Sequence, residues 1–290
     1  MNDELCINHY QSKIASREWL SGQLNNPQLI VIDCRFQLTN PDWGYQQYLA
    51  SHIQGAYYLD LEKDLSSPVE RYGGRHPLPN PLLLAQKLAA MGVNAGETLV
   101  VAYDNSRFAF AARLWWLLRY LGHENVALLD GGWTAWKAGG YPVTEIVPEP
   151  KPGRFVPQLH PDWIVDIEAV KAIQDESSIV LIDSRDAERY RGEKEPLDPV
   201  AGHIPGAVNS PWIQVSNEQG YLQNLAIQQQ LWADYRQAKE IIVYCGSGVT
   251  ACVNLLSLAL AGIENVALYP GGWSDWCSYL RETSGNLPAD

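Results

Sequence analysis

The sequence predicts an α/β protein written twice: two tandem domains, each a mostly parallel sheet with helices on both faces. Three observations predict it. Short β-branched runs alternate with longer amphipathic stretches, the pattern of strands joined by crossover helices. Segments of the first half return in the second at a nearly constant spacing, and a proline-rich stretch separates the two copies.

The repeat is explicit. Leu29-Ile-Val-Ile-Asp-Cys-Arg35 returns as Ile179-Val-Leu-Ile-Asp-Ser-Arg185, an offset of 150, and His52-Ile-Gln-Gly-Ala56 returns as His203-Ile-Pro-Gly-Ala207, an offset of 151. Val126-Ala-Leu-Leu-Asp-Gly-Gly-Trp-Thr-Ala-Trp136 returns as Val266-Ala-Leu-Tyr-Pro-Gly-Gly-Trp-Ser-Asp-Trp276 at an offset of 140. Three matches in one order mark a tandem duplication. The expected domains are residues 1–145 and 161–290. Between them runs a stiff, extended linker, 146–160, inside a stretch bearing Pro142, Pro148, Pro150, Pro152, Pro157 and Pro161. The drop in offset gives the first copy about ten extra residues, placed within Glu62–Asn80. That segment carries Arg71, Arg75 and His76 among glycines and prolines, and could close over a neighbouring site.

In the first copy, strands are expected at 29–33, 56–59, 98–103 and 126–129, with an amphipathic helix at 108–121 whose Trp115, Trp116, Leu117 and Leu118 face a core. The matching strands of the second copy fall at 179–183, 207–208, 241–244 and 266–269. The 11 tryptophans read as core or interface fillers.

Composition bounds the function. A chain of 290 residues, 46% hydrophobic and 19% charged, suits a globular protein with a substantial core. A net charge of −12 argues against nucleic acid or an anionic membrane as partner, and means that an anionic ligand needs local positive potential. No apolar run has transmembrane length, and Met1-Asn-Asp-Glu-Leu5 lacks the basic and apolar regions of a signal peptide. The five cysteines, Cys6, Cys34, Cys245, Cys252 and Cys277, are odd in number and lack zinc spacing, so reduced thiols in a cytoplasmic protein are expected.

The chemistry concentrates in Ile241-Ile-Val-Tyr-Cys245-Gly246-Ser247-Gly248-Val249-Thr250-Ala251. Cys245 follows a buried strand, at the sheet end where open parallel sheets bind ligands. Gly246 and Gly248 let the backbone curl so that successive N–H groups point inward, and the helix expected at 252–261 adds the positive end of its dipole. Such a cradle favours an anion, a thiolate included. The alternative is a buried structural cysteine beside a tight turn. Aligning Tyr103 with Tyr244 sets Asp104 opposite Cys245, so the first copy reads as catalytically silent. A cysteine phosphatase would need arginine at the sixth position after the cysteine; Ala251 stands there.

The cysteine loop, the paired His-Ile-x-Gly-Ala turns and the paired Gly-Gly-Trp segments resemble the two-domain sulfurtransferases of the rhodanese superfamily, over about residues 8 to 283. The resemblance implies tandem rhodanese-like domains and a persulfide formed on Cys245 from a small anionic donor, thiosulfate or 3-mercaptopyruvate. The sulfur then passes to a thiophilic acceptor: cyanide, a thiol or thioredoxin. The N–H groups of Gly246, Gly248, Val249 and Thr250 would hold the anion. No metal or organic cofactor is implied. A non-catalytic persulfide carrier or scaffold on the same fold is the alternative, separated by whether Cys245 takes up sulfane sulfur.

The loop also resembles that of the members using 3-mercaptopyruvate. In those, the loop serine acts with a histidine and an acid, positions that fall on Ser247, His76 and Glu62, where the family has aspartate. Two arginines grip the substrate in that group. The first matches Arg189; at the second the segment reads Glu195-Pro-Leu197-Asp198, leucine replacing arginine, with Arg71, Arg75, Arg191 and Lys194 as candidates to compensate.

Features kept in both copies read as architecture: Arg35 with Arg185, His52 with His203, and the glycine pairs Gly131-Gly132 and Gly271-Gly272. Cys252 is expected to pack in the core. Arg189 has no such echo, its counterpart being expected near Leu38 or Thr39, so a substrate role is preferred.

Overall fold

A computed structural model describes residues 13–173 and 176–283; Cys6 and residues 1–5 lie outside the described residues. The chain forms two compact units. One comprises the residues up to Leu61, Pro81–Leu159 and Ser216–Leu225; the other comprises Glu62–Asn80, His160–Val215 and the residues from Ala226 on.

The first unit contains β1 (Ile14–Ala15), β2 (Leu29–Asp33), β3 (His52–Ile53), β4 (Tyr57–Tyr58), β5 (Leu99–Tyr103), β6 (Val126–Leu129) and β7 (Val143–Thr144). Five of these make a sheet in the order β1-β6-β5-β2-β4, parallel throughout, while β3 and β7 pair antiparallel. Every residue of β2 is buried, so both faces of the sheet are covered. The covering helices are α1 (Arg17–Gln23), α2 (Trp43–Ala50), α3 (Pro81–Ala90), α4 (Ala111–Tyr120) and α5 (Gly132–Ala138). One core cluster joins Val31, Val101, Tyr103, Leu129, Trp133 and Trp136.

Helix α4 is buried from Ala111 to Leu118 but starts later than position 108, where the periodicity puts it. Arg107 and Phe108 have φ of +57° and +73°, left-handed values that no helix accommodates. The loop takes this path because it wraps the Asp104 carboxylate, described below.

The second unit repeats the plan. Strands β8 (Ile179–Asp183), β9 (Val208–Asn209), β10 (Glu240–Tyr244) and β11 (Val266–Leu268) form a parallel sheet ordered β11-β10-β8-β9. Ile164 bridges Leu268 in parallel, at the place where β1 pairs with β6. The second repeat's helices are α6 (Ile167–Ala172), α7 (Ala187–Tyr190), α8 (Leu225–Leu231), α9 (Ala251–Leu260) and α10 (Gly272–Thr283). The short strands β4 and β9 begin one residue beyond Ala56 and Ala207, because those N–H groups close turns onto the carbonyls of Ile53 and Ile204 at 2.9 and 3.0 Å. Among the described residues no helix is long and apolar enough to cross a membrane.

The duplicated residues build duplicated struts. Arg35 forms a buried pair with Asp33 at 2.6 Å and donates to Ser51 O; Arg185 pairs with Asp183 at 2.7 Å and donates to Gly202 O. Each guanidinium also lies over the tryptophan of its Gly-Gly-Trp turn, Trp133 or Trp273. His52 Nδ1 meets Tyr48 O at 2.6 Å, and His203 Nδ1 meets Tyr190 O at 2.7 Å. These contacts tie loops to strand ends.

Residues 146–159 are extended, as their prolines dictate, and are pinned within the first unit. Lys151 N, Gly153 N and Gln158 N donate to the carbonyls of Ala90, Ala89 and Leu121 at 3.1, 2.8 and 2.9 Å.

Candidate active site

Strand β10 delivers Cys245 to its carboxyl end, where the residue is 2% exposed. The loop from Gly246 to Val249 is buried and Thr250 leads into α9. Gly248 is obligatory: its φ is +72°, and a β-carbon there would lie 2.4 Å from Pro270 O. The loop's outer edge is held by α10, since Cys245 O accepts from Trp273 N at 2.8 Å and Gly246 O from Ser274 N at 2.9 Å.

The inner edge is open. The N–H groups of Gly246, Ser247, Val249, Thr250 and Ala251 donate to no acceptor among the described residues. Open amides at the start of a ten-residue helix are suited to an anion. The first unit shows what such a loop does when filled. Asp104 Oδ1 accepts from Ser106 N and Phe108 N at 2.8 and 3.1 Å, and Oδ2 from Phe110 N and Ala111 N, both at 2.9 Å. A carboxylate built into the chain takes the amides.

His76 Nδ1 lies 2.7 Å from Ser247 Oγ, and both residues are 5% exposed. The segment Glu62–Asn80 belongs to the same compact unit as Cys245, and the start of α10 fixes it. Gly73 N donates to Asp275 Oδ1 at 2.7 Å, Arg75 N donates to Ser274 Oγ at 3.1 Å, and Tyr269 OH donates to the other Asp275 oxygen at 2.6 Å. Glu62 is exposed at the opening of the segment.

Arg189, on α7, donates from Nη2 to Glu195 at 2.7 Å and to Asp198 Oδ2 at 3.0 Å. The other Asp198 oxygen pairs with Arg75. Both guanidiniums reach the cysteine loop: a β-carbon built on Gly246 would lie 2.8 Å from Arg75 Nη2 and 3.6 Å from each Nη of Arg189. Burial, and then the charge of Arg189, lower the pKa of Arg75, while Cys245 and Glu195 act against that shift. Leu197 is exposed and lines a pocket of about 170 Å³ together with Arg75, Asp198 and Ser274. Of the four compensating cations, Arg191 is exposed and pairs with Glu193, Lys194 is exposed, and Arg71 is exposed over Tyr72. Arg75 is the one brought to the loop.

Tyr190 and Tyr48 make the same contacts, each hydroxyl donating to the alanine carbonyl of its turn, so the counterpart of Arg189 is Gln47, not Leu38 or Thr39. The helices differ in length, four residues in α7 against eight in α2, which shifts a count made along the chain. Cys252 is fully buried in α9, its thiol 3.4 Å from Gly248 O. Cys277 is buried too, and burial pushes its thiol up to about 11.

A buried thiol at a sheet's carboxyl end, on a loop whose amides and neighbouring arginines suit an anion, is an arrangement compatible with covalent transfer. The model of the rhodanese-like domain matches residues 16–139 and 166–279. A Pseudomonas aeruginosa protein named "Probable 3-mercaptopyruvate sulfurtransferase" is 43% identical over 93% of this chain and 96% of its own. SseB of Mycobacterium tuberculosis, provisionally named a thiosulfate sulfurtransferase, is 38% identical over 86% of this chain and 87% of its own. The crystal structure of SseA from Escherichia coli, from work on the fold and mechanism of 3-mercaptopyruvate sulfotransferases, superposes with a TM-score of 0.78 at 34% identity. It covers 91% of this chain and 99% of that one. The chain belongs to the rhodanese family, with two rhodanese-like domains in tandem. Its activity is that of a sulfurtransferase.

Proposed function

We propose that the sulfur donor is 3-mercaptopyruvate and that Cys245 carries the sulfur as a persulfide. The observation carrying this reading is the buried pair of His76 and the loop residue Ser247, 2.7 Å apart. Thiosulfate has no proton to lose; a mercaptan does, and a serine–histidine relay is suited to moving it. The names of the Pseudomonas aeruginosa and Escherichia coli relatives agree with this donor, while that of SseB favours thiosulfate.

In the first half-reaction the Cys245 thiolate attacks the donor sulfur. An S–S bond forms, the C–S bond breaks, and the proton leaving the donor thiol through Ser247 and His76 returns to the carbon, giving pyruvate. In the second, an acceptor (a thiol, thioredoxin or cyanide) attacks the outer sulfur and restores the thiolate. The amides of Gly246, Gly248, Val249 and Thr250 stabilise the charge on the persulfide, and Arg189 holds the donor. The second repeat, 161–290, carries the thiol; the first, 1–145, with Asp104 at that place, is silent, and 146–160 links them. A cycle that begins from free thiolate suits the reducing cytoplasm.

The test is steady-state sulfur transfer to cyanide from each donor, with Cys245→Ser as control. A large kcat/KM preference for 3-mercaptopyruvate supports the reading; a preference for thiosulfate removes the role of the relay.

A further inference from the structure

We propose that Arg75 is the second arm of the donor clamp: with Arg189 it grips the carboxylate of an α-keto thiol, taking the place left empty of charge at Leu197. The inference rests on 3-mercaptopyruvate being the donor.

The donor inventory supports it. Asp198 bridges the two arginines, one oxygen to Arg75 Nη1 and the other to Arg189 Nη2. Glu195 takes Nε and a second bond to Nη2 of Arg189. That leaves Nε and Nη2 of Arg75, and Nη1 of Arg189, donating to no acceptor among the described residues. Arg75 Nη2 and Arg189 Nη1 are the atoms that approach Gly246, the residue next to the nucleophile. Two guanidinium edges, locked side by side by one carboxylate and open toward the thiol loop, present the forked donor set that binds a carboxylate.

Placement supports it as well. Arg75 adjoins His76, so one segment brings both the proton relay and the cation. Its backbone is fixed by Ser274 Oγ, and Gly74 packs so closely that a β-carbon there would lie 2.3 Å from Gly271 O. Little ordering is left for the substrate to impose. Leu197, with an apolar side chain 45% exposed, offers the donor no hydrogen bond. Two arginines against Glu195 and Asp198 leave the cluster formally neutral, so what it offers an anionic donor is the directed N–H edges that these carboxylates do not take.

The experiment compares the full-length wild type, Arg75→Gln and Arg75→Lys, with 3-mercaptopyruvate and thiosulfate as donors and cyanide as acceptor. Arg75→Gln is expected to raise KM for 3-mercaptopyruvate about 10- to 100-fold with kcat within about threefold. Arg75→Lys should recover only part of the loss, because a point charge replaces a fork. An Arg75→Gln KM within about twofold of wild type, while the wild type turns over 3-mercaptopyruvate well, overturns the clamp and leaves the donor reading standing. A collapse of kcat with 3-mercaptopyruvate alone, at unchanged KM, also overturns it, since Arg75 would then only position His76. A wild type inactive with 3-mercaptopyruvate removes the donor reading and the clamp with it. Should Arg75→Gln not fold, Arg75→Lys decides alone: KM raised about fivefold or more supports the clamp, and unchanged KM overturns it.

Discussion

Asp104 and Cys245 hold the same post in two copies of one fold: the carbonyl of Asp104 accepts from Trp133 N at 2.8 Å, and that of Cys245 accepts from Trp273 N at 2.8 Å. What differs is the side chain and the loop it organises. Asp104 gathers four amides onto its own carboxylate, while the N–H groups of Gly246, Ser247, Val249, Thr250 and Ala251 donate to no acceptor among the described residues. The first loop satisfies its amides from within the chain.

Replacing Asp104 by Asn should therefore leave sulfur transfer within about twofold of wild type and cost stability. The new NH2 group would face two N–H donors that have lost their acceptor, a loss of about 2–3 kcal/mol. Thermal denaturation alongside the cyanide assay checks both halves of this expectation. A large drop in kcat would place chemistry in the first repeat.

The His76–Ser247 pair should act as one unit. His76→Gln or Ser247→Ala is expected to lower kcat/KM for 3-mercaptopyruvate by about 10²–10⁴, with thiosulfate turnover changed only a few-fold. The double variant should be no worse than the poorer single one. Additive losses would mean that the two residues work separately.

The two loop glycines should fail in different ways. Gly248→Ala forces a left-handed alanine, about 1–2 kcal/mol unfavourable, against Pro270 O, so folding stability and transfer should fall together. Gly246→Ala puts its methyl against the flexible end of Arg75, so KM should rise with little change in melting temperature. Steady-state kinetics and melting curves on both variants separate the two effects.

His123 should make the first unit sensitive to acid. Its ring is fully buried, Nδ1 accepts from Gly96 N at 3.0 Å, and burial holds its pKa below the usual 6.5. As pH falls through 6.5 the unfolded chain takes up the proton first, so stability drops, by at most about 1.4 kcal/mol per pH unit. Denaturant midpoints from pH 8 to 5 should slope less steeply in His123→Gln. Equal slopes would show that other groups govern the acid limb.

Much of this architecture was legible because its causes are local. Asp183 and Arg185 pair two positions apart, Cys245 shares its loop with the glycine that lets it bend, and the repeat displays which features both copies keep. Arg75 was not singled out, since its tie to Asp198 spans 123 positions and strand and helix periods say nothing about where a glycine-rich segment docks. It stood only as one of four cations, with Arg71, Arg191 and Lys194, that could compensate for Leu197. The start of α4 was misplaced for a different reason. Apolar periodicity continues back through Phe108, but the four hydrogen bonds to Asp104 outweigh one more helical turn.

The segment Glu62–Asn80 lies in the sequence of the first repeat and in the compact unit of the second. A gene cut back to residues 161–290 would thus encode the thiol and its loop while discarding His76 and Arg75. On the proposed mechanism, a change in Glu62–Asn80 is therefore felt in the unit that holds Cys245, although the segment is encoded within the other repeat.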